Sequence, residues 1–201
     1  MKGCKGLILG TAINDAKYNV YATTRINGRK KNLWVCPFYK VWIGMIKRCF
    51  DAKTHNLQPT YSDCSVVDEW LKFSSFREWM VAQKWQGMAL DKDILLPGNK
   101  IYSPETCVFI PQSLNNFLTD SASIRGDSPI GVSWHRKTKK FHAECRNPFS
   151  GAKESLGYFH SADEGYQEWR KRKHQHACRY ADLQTDSRIY DALRSRFNAH
   201  I

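Results

Sequence analysis

Apolar and polar positions along this chain recur with periods that divide it into short elements. Residues 17–36 alternate toward a hairpin: Tyr18, Val20 and Tyr21 lead in, Leu33, Trp34 and Val35 lead out, and Asn27-Gly28 stands between them. Asn-Gly suits a two-residue turn because both central positions need positive φ. Residues 37–50 switch to the helical period, with Tyr39, Trp42, Ile46 and Cys49 in one stripe that Val41 and Met45 widen. Pro37 fits a first helical position, where its missing N–H costs nothing. Residues 51–64 read as loop from their Asn, Pro, Ser and Asp content. The pattern W-x-x-F-x-x-F-x-x-W (Trp70, Phe73, Phe76, Trp79) then marks a core helix, capped by Ser74 or Ser75 and reaching about Lys84.

The central stretch reads as strand, turn, strand and helix. A strand over 88–95 meets a Pro97-Gly98-Asn99 loop and a Ser103-Pro104-Glu105 turn. A second strand over 107–110 leads to a helix opened by Pro111, with Leu114 and Phe117 on one face. Residues 119–129 are polar and contain Gly and Pro, the composition of a linker. Beyond them, strands are expected over 131–136, 140–146 and 153–159, then a helix from Ser161, where Ser161 and Glu164 form a capping box. Val132, Trp134, Phe141, Ala143, Cys145, Leu156 and Tyr158 point one way. Ser133, His135, Lys140, His142, Glu144, Arg146, Lys153 and Ser155 point the other. The helix buries Ala162, Tyr166, Trp169, His176 or Ala177, and Tyr180; Ile189, Leu193 and Phe197 mark a final amphipathic helix. The fold class is α+β. Its expected parts are an N-terminal unit over 1–118, a linker, a small three-stranded sheet with its helix over 130–182, and the C-terminal helix over 183–201.

Charge changes this picture from architecture to partners. Thirty-one Lys and Arg against nineteen Asp and Glu give +12, a surplus that favours a polyanion through phosphate contacts and counterion release. Arg25, Arg29, Lys30 and Lys31 crowd the first hairpin, as either a solvated turn or a phosphate-contacting finger, and Arg136 follows His135 at the end of a strand as a further DNA-binding candidate. A half-covered sheet whose open face is basic and hydrogen-bonding is what a strand-based reader lays in a major groove. Seven Trp and 13% aromatic residues argue against disorder. No run approaches the roughly eighteen apolar residues of a membrane span, and the N-terminal apolar patch is shorter than a secretion signal. Seven Cys without paired spacing suit a reducing cytoplasm. Cys36, Cys49, Cys64 and Cys107 offer a structural Zn²⁺ site, although no C-x-x-C knuckle is present; buried thiols are the plainer account.

Two family resemblances follow from these motifs. GVSWHRKTKKFHAE and KESLGYFHSADEGYQ resemble the plant APETALA/ethylene-response-factor DNA-binding domain over about fifty residues, although Ser133 and Ser155 stand where that family carries stronger readers. Residues 90–116, preceded by Trp42-Ile43-Gly44-Met45-Ile46-Lys47-Arg48-Cys49, resemble the ββα-metal finger of phage HNH homing endonucleases, which often end in an APETALA-type module. The second resemblance implies Mg²⁺ or Mn²⁺ held by Asp91 and Asn115, with Asn116 as the neighbouring candidate. The general-base His of that family falls on Lys92, and the Asn that orients it falls on Thr106. An ammonium makes a poor base, so Lys92 reads as a phosphate clamp, while Asp93 shares a strand face with Asp91 as a second carboxylate. Three readings stand on the sequence: a metal-dependent DNA-nicking endonuclease, a descendant that kept the DNA grip without the chemistry, and a factor that binds a host protein. Double-stranded DNA is the expected partner in the first two, with neither a membrane nor a small-molecule cofactor implied, and either one or two copies acting.

Overall fold

The computed structural model describes residues 6–119 and 128–198 and divides into two compact units, split between Ile110 and Pro111. In the first unit, β1 (Tyr21–Ile26) and β2 (Arg29–Val35) form the antiparallel hairpin read from Asn27-Gly28, whose φ values are 50° and 73°. Helix α1 (Pro37–Phe50) has the bounds expected from its period and buries Trp42, Met45, Ile46 and Cys49. Tyr39 and Val41 stay half-buried at the edge of that stripe.

Several expectations in this unit need correction. Residues 51–64 are not all loop: Asp51 accepts a hydrogen bond from the Lys53 amide and starts α2 (Ala52–Leu57), and a 3₁₀ turn covers Pro59–Tyr61. The aromatic pattern splits into a 3₁₀ turn (Asp68–Leu71) and α3 (Phe73–Val81), whose N-cap residue Lys72 supplies no capping side chain. Ser74 is not the cap. Asp15 reaches across the sequence to accept the Ser74 amide at 2.8 Å, so the orphan N–H of the first turn is satisfied from a distance. Around these helices the core gathers Trp42, Trp70, Phe73, Phe76 and Met80, and the Trp42 indole donates to the Trp70 carbonyl at 2.7 Å.

Strand β3 (Ser65–Val66) pairs in parallel with β5 (Ile101–Tyr102), and β4 (Met88–Asp91) pairs with β6 (Val108–Pro111). The first central strand stops at Asp91 rather than Leu95, because the Asp91 carboxylate accepts the amides of Asp93 and Ile94 and turns the chain.

Helix α4 (Gln112–Leu118) groups with the second unit, not with the strands before it. Its Phe117 packs on Tyr180 and Phe197, and Lys173 Nζ donates to the Phe117 carbonyl at 2.6 Å. The expected linker lies mostly outside the described residues. Strands β7 (Val132–His135), β8 (Lys140–Arg146) and β9 (Lys153–Phe159) form an antiparallel sheet in that order, backed by α5 (Ala162–Ala181) behind the Ser161–Glu164 capping box. Helix α6 (Ser187–Ser195), capped by Asp186, buries Ile189 and Leu193. Phe197 is not on this helix: it follows the helix end in a left-handed conformation and meets Trp169 and Phe117. Among the described residues, no helix is long and apolar enough to cross a membrane.

Gly131 joins sheet and helix. Its φ is +76°, and a Cβ there would come within 1.9 Å of the Trp169 ring. Gly131→Ala is expected to lose at least about 2 kcal/mol in urea unfolding, from left-handed strain plus overpacking. Unfolding indistinguishable from wild type would show that the helix does not close on this turn.

Candidate nucleic-acid interface

The strand register decides what the sheet presents. Val132 stands opposite Ala143, which stands opposite Gly157; Trp134 pairs Phe141, which pairs Phe159. This face lies against α5: a Cβ added to Gly165 would sit 3.4 Å from the Val132 side chain, so the helix backbone runs close to β7 there. On the other face Ser133, His142 and Tyr158 form one row, flanked by the pairs His135–Lys140, Glu144–Ser155 and Arg146–Lys153. The polar assignments read from alternation therefore hold for these strand positions. Arg136 is the exception, since β7 ends at His135 and Arg136 lies in the exposed β7–β8 turn.

Tyr158 reverses its expected direction. Between Ala143 and Glu144 the β8–β9 register shifts by one residue, leaving Leu156 without a partner. One extra residue breaks the two-residue period, so everything beyond it changes face. Tyr158 emerges on the open face at 46% exposure, stacked on His142 at 4.8 Å and edge-on to His135 at 5.1 Å. The sequence signal for this was the short Leu156-Gly157 step, since Gly inside a strand often marks a bulge.

Local bonds hold these side chains out from the sheet. His142 Nε2 lies 2.8 Å from Ser155 Oγ, and His135 Nδ1 lies 2.9 Å from Thr138 Oγ1. Lys153 pairs with Glu144 at 2.9 Å, and Arg146 donates to the Gly151 carbonyl at 2.9 Å. An open cavity of about 430 Å³ adjoins the face and is lined by Pro129, Ser133, His142, Glu144 and Lys153 among others. Cations, amphoteric hydroxyls and imidazoles, one carboxylate and one stacking ring make a surface suited to phosphates and base edges.

Behind the sheet, Glu154 organises a second polar group. It accepts from Asn147 at 2.9 Å and faces buried His176 at 3.1 Å and Arg172 at 3.5 Å. These bonds, that from Asn147 foremost, hold its carboxyl below the usual carboxylate range. His176 Nδ1 is buried without a partner, and burial holds the imidazole below its ordinary pKa. The neutral ring, with Nε2–H donating to Glu154, fits both facts.

The expected metal site is arranged otherwise. Asp91 is buried, and one of its oxygens already accepts two backbone amides. Burial, followed by the neighbouring Asp93, raises its pKa above the carboxylate norm. Lys92 is also buried; its Nζ donates to the Asn99 carbonyl at 2.6 Å and pairs with Asp93 at 3.1 Å. Asn99 returns a bond to the Lys92 carbonyl, closing the loop. The Lys92 side chain, already bonded to Asp93 and to the Asn99 carbonyl, competes with a divalent cation for the Asp93 carboxylate. Magnesium also needs several open oxygen positions. These residues do not fit it. Asn115 and Asn116 are on α4, in the other unit, where Asn116 accepts from Gln112 at 2.8 Å. Thr106 bonds Ser103 and the Ile101 carbonyl rather than any histidine.

Cys36, Cys49, Cys64 and Cys107 all belong to the first unit's apolar core. Burial pushes the thiols of Cys49 and Cys107 up to about 12 and raises that of Cys64. Among the described residues no group of three or more His, Cys, Asp or Glu is arranged to hold a metal ion, and the four cysteines act as core. Arg48 lies over the Tyr61 ring at 5.6 Å. Arg29, Lys30 and Lys31 are exposed at the hairpin end of β2.

No family model, no curated protein and no solved structure matches the chain.

Two measurements check this geometry. The unfolded chain, with an ordinary histidine, takes up a proton near pH 6.5 that folded His176 resists. Stability is therefore expected to fall as pH drops through that value, and His176→Gln should flatten that fall between pH 7 and 5 in urea titrations. An unchanged slope would assign the fall to other groups. Asp91→Ala leaves the Ile94 amide buried and unpaired, so about 1–3 kcal/mol of stability should be lost. A loss near zero would mean the turn does not depend on that carboxylate.

Proposed function

We propose that the protein binds double-stranded DNA through the open face of the β7–β8–β9 sheet and does not cleave it. The observation that carries this reading is the register itself. One face is taken by α5, and the other collects Lys140, Arg146, Lys153, Ser133, Ser155, His135, His142 and Tyr158. A net charge of +12 supplies the long-range attraction such a surface needs. Phosphate contacts from the lysines and Arg146 set position, and the shorter polar groups meet base edges. The APETALA-type resemblance of residues 130–180 supports the same surface. The HNH-type resemblance supports descent from a DNA-cutting ancestor, whereas the pairing of Lys92 with Asp93 and Asn99 supports loss of the chemistry.

Full-length protein titrated with duplex DNA over a range of salt concentrations tests this. Affinity should fall linearly on a log–log scale, with a slope of about −0.9 per phosphate contact. The double substitution Arg146→Gln, Lys153→Gln should weaken binding by about tenfold or more near 0.1 M salt. Absence of duplex binding at low ionic strength, or a double variant that binds as wild type, sinks the reading. Plasmid should stay supercoiled with Mg²⁺ or Mn²⁺. Metal-dependent nicking that disappears in Asp91→Ala would restore the endonuclease reading.

A further inference from the structure

Both faces of the β1–β2 hairpin are open. Every residue from Tyr21 to Trp34 is exposed except Thr24, which is half-buried. An exposed two-stranded ribbon is marginal in water by itself, and this one also shows Leu33 at 67%, Ile26 at 49% and Trp34 at 49% exposure. Surfaces of that kind persist where a partner covers them.

The register sorts the ribbon's charges onto its two faces. Tyr21–Val35, Thr23–Asn32 and Arg25–Lys30 share one face; Ala22–Trp34, Thr24–Lys31 and Ile26–Arg29 share the other, with Leu33 as the extra residue of a bulge. Each face therefore carries two cations and one aromatic ring, and Lys30 Nζ lies 5.7 Å from the Tyr21 ring centre. Between Asp15 and Asp51 the chain has no Asp or Glu at all. No carboxylate among the described residues pairs with Arg25, Arg29, Lys30 or Lys31.

We infer that this hairpin is a second DNA-binding element, a ribbon that enters the major groove tip first with one cation pair toward each phosphate wall. The inference rests on the DNA-binding reading above and adds a site to it. A two-stranded ribbon fits a groove about 12 Å wide, and the three residues of each strand nearest the turn reach about 10 Å, enough for its depth. A single strand presents one line of phosphates and needs cations on one face. Two cationic faces match the two lines that border a groove. Trp34 and Ile26, on the face of Arg29 and Lys31, add apolar contact beside the charges.

The test compares two full-length variants on one mixed-sequence duplex several helical turns long: Arg25→Gln, Arg29→Gln, Lys30→Gln, Lys31→Gln together, and Arg146→Gln with Lys153→Gln. The hairpin variant should lower the salt slope by about three to four and cost on the order of 10²- to 10³-fold in affinity near 0.1 M salt. Its unfolding midpoint should not move, since the four side chains hold no ion pairs with described residues. Combined with the sheet substitutions, the losses should multiply. A hairpin variant with wild-type slope and affinity, beside a weakened sheet variant, overturns this inference and leaves the function standing. Failure of the wild type to bind any duplex removes the function itself. Single-stranded DNA of equal length that competes better than duplex, with the preference lost in the hairpin variant, overturns the groove assignment.

Discussion

Closure of α5 over one side of a three-stranded sheet is the constraint from which the second unit's surface follows. The sheet is too small to bury both faces, and the helix covers the one that carries Val132, Ala143 and Phe141. Trp169 packs so closely on the β7 approach that only glycine fits at position 131. Once that side is taken, the remaining side must tolerate water, and it carries Lys140, Arg146, Lys153, two serines, two histidines and Tyr158. Stability and the candidate interface are two consequences of one packing choice.

The first unit solves a different problem. Its helices are short, and two polar contacts between residues distant in sequence help the aromatic core to hold them. Asp15 completes the first turn of α3, and the Trp42 indole finds its acceptor at Trp70. A buried indole N–H without an acceptor would cost about 1–3 kcal/mol, so this bond helps fix where α1 lies against the 3₁₀ turn. Lys173 plays a comparable part in the second unit, with its ammonium 3.8 Å from the Phe117 ring centre and bonded to the last turn of α4.

Charge near Asp91 has been turned inward. In the loop from Asp91 to Asn99, a carboxylate serves backbone amides, an ammonium serves a carbonyl and a carboxylate, and an amide side chain closes the ring. Groups that could have supported hydrolysis are here occupied in holding a turn. Exposed cations lie instead on strands, at the hairpin in one unit and on the open sheet in the other, among further surface cations such as Lys171.

Local chemistry made much of this legible in the residues alone. Asn27-Gly28, Pro37, the Ser161–Glu164 box and strict alternation through β7 and β8 each act over a few residues, so their outcomes needed no partner. The same locality explains what was hidden. The cap on α3 comes from Asp15, far away in sequence; Asp91 ends its strand by bonding forward; α4 joins α5 because Phe117 and Lys173 meet there; and the bulge at Leu156 turns Tyr158 outward. Sequence by itself determined the α+β class, most of the longer elements, the basic balance and most of the polar face. Which groups were already bonded to one another was decided only when distant segments came within hydrogen-bond reach, since a side chain's role depends on the neighbour it finds.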